Sequence, residues 1–253
     1  MKIEVHPNSK SAGVAAAQAA AKAMMELGGV RESFGVIFAT GASQLDTLDA
    51  LTGMQDLPWH QVCGFHMDEY IGIPADHPAS FRRYLRERLT ERVPMHEFSE
   101  IDGNAPDVGQ ICLGYAEKLR DANPQLCLLG IGENGHLAFN DPPVADFSDP
   151  LDAKAVHLDN VCRQQQAAEG WFKSADDVPK SAITLTIPTL LRVPKLIVSV
   201  PGSRKAAIVR RALEDRISTD CPATVLRTHP DVTLYLDAES AGELDGLVSS
   251  QAN

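Results

Sequence analysis

The chain has 253 residues, of which 44% are hydrophobic and 23% charged, a balance typical of globular proteins that argues against disorder. A formal net charge of −11 argues against general nucleic-acid binding, and five widely spaced cysteines without a CxxC pair argue against a disulfide framework or a zinc cluster. No apolar run reaches the ~20 residues that span a bilayer, and no secretion signal is recognisable at the N-terminus, so we expect a cytoplasmic protein without a membrane partner.

Helices and short apolar strands alternate along the chain. The strand-like N-terminus is followed by predicted helices at 11–27, 45–51, 80–89, 108–120 and 204–213, and by predicted strands at 34–39, 61–65, 126–131, 196–200 and 232–236. This alternation predicts an α/β fold with a mostly parallel twisted sheet flanked by helices, a Rossmann-like single domain over residues 1–253. The less regular stretch from about 144 to 180 is interpreted as a mobile flap within that domain.

Ligands of parallel sheets bind beyond the carboxyl ends of the strands. That rule selects the loops at 40–44, 66–78 and 132–143, and a fourth loop after residue 200. All four are polar, and all four contain glycine. We therefore expect the chemistry of the protein to lie in these loops.

The first loop consists of small residues between a strand and a helix. Thr40, Gly41, Ala42 and Ser43 would let backbone N–H groups face an anion at a helix N-terminus. The loop is neither a Walker A motif nor a GxGxxG motif. A tight turn capped by Thr40 or Ser43 explains the same residues equally well.

The second loop places two adjacent carboxylates directly after a buried strand. One of Asp68 and Glu69 can enter the cleft while the other turns back to the scaffold. A carboxylate in a partly dry cleft has a raised pKa and can act as a general base. A solvated acidic turn is the alternative.

The third loop is rich in glycine and carries a histidine. His136 suits proton transfer near neutral pH, and Asp141, five positions later, can orient its imidazole. The fourth loop places Lys205 at the opening of a helix, a second plausible anion site. Arg163 and Arg227 are further candidates that could equally be surface charges. Neither an HExxH motif nor a GxSxG elbow is present, so a metal site and a Ser-His-Asp hydrolase are not expected.

Taken together, these segments resemble the glucosamine-6-phosphate deaminase family, whose wider fold also contains the 6-phosphogluconolactonases. The matching stretches are ATGAS at 39–43, FHMDEYIGIPADHPASF at 65–81, DGNAPD at 102–107, LLGIGENGHLAFNDP at 128–142, VPKSAITLT at 178–186 and PGSRKA at 201–206. They occur in the right order over most of the chain, and the MDEY and GHLAFN segments are the specific ones.

The resemblance implies a role for each matching residue. Asp68 matches the base that moves a proton between carbons 2 and 1 of the open-chain sugar, and His136 the histidine that assists ring opening. Asp141 takes the place of its carboxylate partner, and Asn134 stands where many members have Asp. The phosphate-holding positions are matched by Thr40, Gly41, Ala42, Ser43 and Lys205. The implied reaction converts glucosamine 6-phosphate and water to fructose 6-phosphate and ammonium, without a metal or organic cofactor.

One departure from the family concerns its phosphate contacts. The family usually has an Arg just before the aromatic pair of the flap, where this chain has Gly170. Arg163 or Arg227 is expected to supply that anion contact instead. Two alternatives stay open, a 6-phosphogluconolactonase and an enzyme for another amino-sugar phosphate such as galactosamine 6-phosphate. The sequence also leaves open whether the chain forms a homo-oligomer.

Overall fold

The structure is a computed structural model that describes residues 1–244. Its ten strands are β1 (Lys2–His6), β2 (Phe34–Phe38), β3 (Val62–His66), β4 (Asp68–Tyr70), β5 (Glu97–Ser99), β6 (Leu126–Leu129), β7 (Ala153–His157), β8 (Ser181–Leu185), β9 (Lys195–Val200) and β10 (Val232–Asp237). Its α-helices are α1 (Ser9–Gly28), α2 (Leu45–Thr52), α3 (Phe81–Leu85), α4 (Val108–Ala122), α5 (Asn160–Ala168), α6 (Ile187–Leu191) and α7 (Ala206–Glu214).

Seven of the strands form one parallel sheet in the order β1-β10-β9-β6-β2-β3-β5. Strands β2 and β6 in its centre are buried along their whole length. Such strands have apolar side chains on both faces, because helices cover both sides of a parallel sheet. The predicted fold class, a mostly parallel sheet flanked by helices, is confirmed.

The core lies in two layers, one on each face of this sheet. Along β2, Val36 and Phe38 pack with α1, α2 and α3, whereas Ile37 between them packs with α4, α6 and α7. The alternation follows from the strand geometry, which turns successive side chains to opposite faces. Each large side chain buried in this way contributes roughly 1.5–3 kcal/mol.

Helix α1 is placed by its cap and by one glycine. The Asn8 side chain accepts a hydrogen bond from the Ser11 backbone N–H, and the Ser11 hydroxyl accepts one from the Asn8 N–H, which makes a reciprocal capping box. A Cβ at Gly13 would lie 2.4 Å from the Cβ of Asp46, next to the start of α2. The missing side chain therefore lets α1 and α2 pack closely beneath the site.

A second, antiparallel sheet of three strands in the order β4-β8-β7 was not predicted. It pairs Asp68 with Thr184 and brings residues far apart in sequence to one side of the large sheet. The stretch 144–180 is also more regular than predicted, since it contains β7 and α5. Its helix is rich in glutamine, so its apolar periodicity is weak, and the proposed mobility of this flap stays a prediction.

The remaining predicted elements occur with small shifts at their ends. The predicted helix at 80–89 is an α-helix over Phe81–Leu85 that continues as a π-helical turn over Arg86–Thr90. Among the described residues, no helix is both long and apolar enough to cross a membrane. Residues 245–253 of the predicted domain lie outside the described residues.

Candidate active site

A pocket of about 380 Å³ lies at the carboxyl edge of the large sheet, where the chain leaves β2, β3, β6 and β9. All four predicted loops line it, in agreement with the rule for parallel sheets. The sequence-predicted residues on its wall are Thr40, Gly41, Ala42, Ser43, Asp68, His136 and Lys205. The structure therefore brings most of the predicted site into one cavity.

The loop after β2 turns at Gly41, whose φ of 91° lies in the left-handed region that favours glycine. A short 3-10 turn over Ala42–Gln44 then leads directly into α2. The Tyr84 hydroxyl donates to the Gly41 carbonyl at 2.9 Å and fixes the turn. The first N–H groups of the turn have no carbonyl one helical turn earlier, so they can donate to an anion in the pocket.

Lys205 lines the pocket together with this loop, as does the basic residue Arg204. It follows β9 and the turn at Gly202, and it is only 9% exposed. Its neighbour Arg204 lies 3.5 Å from a Glu133 oxygen, whereas Lys205 forms no ion pair within the described part of the chain. Burial lowers the pKa of the ammonium, and the nearby Glu169 and Glu133 partly oppose this effect. An anion bound here would supply the missing charge partner.

The adjacent carboxylates Asp68 and Glu69 have opposite surroundings. Glu69 is fully buried and accepts hydrogen bonds from Ser80, from three backbone N–H groups and from the Arg82 side chain. Asp68 lines the pocket, and its buried Oδ1 has no hydrogen-bond partner among residues 1–244. Burial first, and then the charge of Glu69, raise the pKa of Asp68 well above its usual value. Asp68 is therefore the carboxylate that is free to exchange a proton in the pocket.

His136 is seated by a glycine and by a carboxylate. A Cβ at Gly132 would lie 2.1 Å from the imidazole ring, so this position must be glycine for the ring to fit. The imidazole Nδ1 lies 2.9 Å from Oδ1 of Asp141. Asp141 thus contacts His136 directly, and Nε2 is the ring nitrogen left for a ligand.

Asn134 and Asp141 lie behind the imidazole and outside the pocket wall. The Asn134 amide donates to Asp141 at 2.9 Å, and its oxygen accepts from the His136 backbone N–H at 3.0 Å. Burial acts to raise the pKa of Asp141, but the contacts with His136 and Asn134 outweigh it and hold that pKa below its usual value. The carboxylate consequently stays ionised beside the ring.

The structure does not bring Arg163 or Arg227 to the pocket wall. The guanidinium of Arg227 donates to the backbone carbonyls of Leu213, Asp215 and Thr224, and so binds the end of α7. Arg163 donates to the carbonyl of Ala175. Arg163 also lies 3.9 Å from Asp176, and its buried Nε has no hydrogen-bond partner among residues 1–244. Neither arginine lies on the pocket wall, so the expectation that one of them contacts the anion does not fit the structure.

Three pocket residues on or next to α5 were missed by the sequence reasoning. They are Gln165, Gln166 and Glu169. Asp237 and Glu239, at the end of β10, are two more; they accept hydrogen bonds from the backbone N–H groups of Gly202 and Ser203. A polar helix shows no periodicity that would tell which side chains face a cavity, so only the packing of α5 identifies the first three.

Within residues 1–244, His136, Asp141 and Cys162 form the one group of three potential metal ligands, with donor atoms within 4.8 Å of one another. Two of these side chains already contact each other. Burial first, and then the charges of Asp141 and Asp159, raise the pKa of Cys162, which disfavours the thiolate that a metal would need. The expectation of a reaction without metal or organic cofactor stays a prediction.

Comparison with known proteins adds an independent line of information. The family of glucosamine-6-phosphate isomerases/6-phosphogluconolactonase matches residues 7–235. A glucosamine-6-phosphate deaminase from Exiguobacterium sp. is 37% identical over 180 residues, 71% of this chain and 69% of the relative. A glucosamine-6-phosphate deaminase from Staphylococcus aureus strain JH9 is 33% identical, over 80% of this chain and 81% of the relative.

Solved structures give the same grouping. A monomeric glucosamine-6-phosphate deaminase superposes with a TM-score of 0.89 at 30% identity, covering 96% of this chain and all of the other. A 6-phosphogluconolactonase from Thermotoga maritima superposes with a TM-score of 0.75 at 20% identity, covering 93% and 98%. The second likeness reflects the shared fold alone.

Proposed function

The chain belongs to the family of glucosamine-6-phosphate isomerases and 6-phosphogluconolactonases, and from that premise we propose that it is a glucosamine-6-phosphate deaminase. The reaction converts glucosamine 6-phosphate and water to fructose 6-phosphate and ammonium. The observation that carries the proposal is the placement of an unpartnered buried carboxylate, Asp68, in one pocket with the Asp141-supported His136. The substrate would be a small-molecule sugar phosphate. We expect the reaction to take place in the cytoplasm.

The phosphate group is proposed to bind at the end of the pocket formed by the loop after β2. Backbone N–H groups of Ala42 and Ser43 would donate to its oxygens, with Thr40 beside them. Lys205 lies buried in the pocket, forms no ion pair with any described residue, and would supply the charge. This arrangement explains how a chain with a net charge of −11 can hold an anion.

His136 is proposed to open the pyranose ring. Its Nε2 would accept the proton of the hydroxyl on carbon 1 and deliver a proton to the ring oxygen as the ring bond breaks. The Asp141 carboxylate would stabilise the imidazolium formed in between. Asn134 donates to Asp141 and holds its carboxylate beside the ring.

Asp68 is proposed to carry out the isomerisation step. As a carboxylate it would take the proton from carbon 2 of the open-chain sugar and return one to carbon 1, which converts the amino aldehyde to a ketimine. Water then adds to carbon 2, and the carbon–nitrogen bond breaks with release of ammonium. The aldehyde on carbon 1 takes up the electron pair when the proton leaves carbon 2, and the amine nitrogen donates electrons when carbon 1 is protonated. These steps therefore need only the proton-transfer groups of the chain.

The proposal is tested by initial rates on three substrates at equal concentration. We expect ammonium from glucosamine 6-phosphate, with slower or no release from galactosamine 6-phosphate and no hydrolysis of 6-phosphogluconolactone. Faster release from galactosamine 6-phosphate would assign the other amino sugar. Hydrolysis of the lactone alone would overturn the deaminase proposal.

A further inference from the structure

A carboxylate lies at the end of the pocket where the phosphate is proposed to bind. Glu169, just beyond the end of α5, lines the same cavity as Gly41 and Lys205. Its Oε2 is 3.8 Å from the position that a Cβ at Gly41 would occupy. A dianionic phosphate on this loop would therefore lie beside a second negative charge.

Hydrogen bonds hold the Glu169 carboxylate in this position. The Gln165 side-chain amide donates to its Oε1 at 2.8 Å, and the Trp171 indole N–H lies 3.4 Å from its Oε2. The Trp171 ring meets the Tyr84 ring edge-on at 6.0 Å, and Tyr84 in turn donates to the Gly41 carbonyl. The carboxylate is thus linked to the anion-binding loop through two aromatic side chains.

The charge of Glu169 acts on Lys205, which lines the same pocket. Burial lowers the pKa of that ammonium, and Glu169 is the carboxylate that opposes this effect most strongly. The two groups nevertheless form no direct ion pair. The charge of Glu169 therefore partly balances that of Lys205. Because the two groups do not touch, an anion could bind Lys205 without first breaking an ion pair.

We propose that Glu169 is a displaceable counter-ion of Lys205, whose place the phosphate of the substrate takes. This inference rests on the proposed function, because it assumes that the phosphate binds at Gly41 and Lys205. Binding would move the Glu169 carboxylate away from the loop together with its Trp171 contact. The cost of this displacement makes Glu169 a residue that limits affinity for phosphorylated ligands.

Glu169→Gln removes the charge at nearly constant size. The amide keeps one oxygen, which can accept a hydrogen bond from Gln165 or from Trp171. Two unit charges about 6 Å apart at an effective dielectric constant of 40 to 80 repel enough to predict about a three- to tenfold change in affinity. We expect the Kd of inorganic phosphate, measured by calorimetry, to fall by this factor, and the KM for glucosamine 6-phosphate to fall in parallel. The exposed Glu117, on α4 far from the pocket, supplies the matched control Glu117→Gln, which should change neither constant.

The displacement itself is observable through Trp171. In a Trp59→Phe background Trp171 is the remaining tryptophan, and its emission should shift as inorganic phosphate saturates the pocket. The shift should be smaller in Glu169→Gln, in which no charge repulsion drives the side chain away. Phosphate binding with unchanged Trp171 emission, or a Kd that stays equal or rises in Glu169→Gln, would overturn the inference. Neither readout requires turnover, so the test stands apart from the deaminase assay.

Discussion

The two ends of the pocket are built in different ways. At one end His136 and Asp68 are set by buried contacts that reach back into the scaffold, through Asp141 on one side and Glu69 on the other. At the other end Lys205 and Glu169 face the anion-binding loop without a direct ion pair between them. Hydrogen bonds and close packing fix the side chains at the end with His136 and Asp68, whereas charge dominates at the end with Lys205 and Glu169. Substitutions should therefore lower kcat at the first end and change the affinity for the phosphate at the second.

The largest effect is expected from Asp68→Asn. An amide cannot take a proton from carbon 2, so kcat should fall by at least about 10³-fold, as for other general bases. Binding of inorganic phosphate should stay within about twofold of the wild type, because Asp68 lies at the other end of the pocket. Steady-state assay and calorimetry on the same preparation measure both quantities. Turnover near that of the wild type would remove Asp68 from the mechanism.

His136→Gln should give the next largest effect. Loss of the imidazole removes the proton transfer that opens the ring, and kcat should fall by about 10²–10³-fold. The loss should be larger with the ring-closed substrate than with an open-chain analogue. Parallel kinetics on the two compounds measure the difference. Equal losses would show that His136 does not act in ring opening.

Lys205→Met tests the end of the pocket where the phosphate is proposed to bind. A charge-assisted hydrogen bond is worth about 1.5–3 kcal/mol, which corresponds to an increase of about 10- to 100-fold in KM. The effect on kcat should be much smaller than that of Asp68→Asn. Inhibition by inorganic phosphate should weaken by the same factor as KM rises. A drop in kcat with unchanged KM would contradict a division of labour between the two ends.

The smallest effect concerns stability and its dependence on pH. The pKa of Asp68 is raised in the folded protein, so the unfolded chain binds fewer protons than the folded one as the pH rises through the range between the two pKa values. Ionisation of this group therefore destabilises the fold at higher pH. Asp68→Asn should be more stable than the wild type by about 1 kcal/mol at about pH 7.5, or about 2–4 °C in Tm.

The same variant should gain less at lower pH, because the destabilisation builds up only as the pH rises from the ordinary pKa of Asp toward the raised pKa of the folded protein. Thermal unfolding at about pH 5 and about pH 7.5 measures the difference between the two conditions. An equal gain in stability at both pH values, or a loss of stability at the higher pH, would mean that ionisation of Asp68 does not destabilise the fold.

The large sheet and the acid–base end were predictable from sequence because each has a local signature. Strands buried on both faces appear as short apolar runs, and the glycines around His136 mark a turn in which the ring must fit. The five-residue spacing indicated that Asp141 can orient the imidazole, and the structure adds that the two groups are in direct contact at 2.9 Å. The opposite fates of Asp68 and Glu69 also follow from their position at a strand end.

The anion end was harder to predict because it depends on packing between distant segments. Strand β4 has only three residues, and its partner β8 lies more than a hundred positions later, so the small sheet has no local signature. The packing of α5 decides that Glu169 faces the pocket and that Arg163 does not, whereas Arg227 is held by backbone carbonyls at the end of α7. A polar side chain on a polar helix gives no sequence signal of the direction in which it points.

The central claim is tested most directly by measuring ammonium and fructose 6-phosphate together, with wild type and Asp68→Asn assayed side by side on glucosamine 6-phosphate. The account predicts one ammonium for each fructose 6-phosphate from the wild type, and no detectable amount of either from the variant, although the variant still binds phosphate. Failure of the wild type to release ammonium, or equal release by the variant, would contradict it.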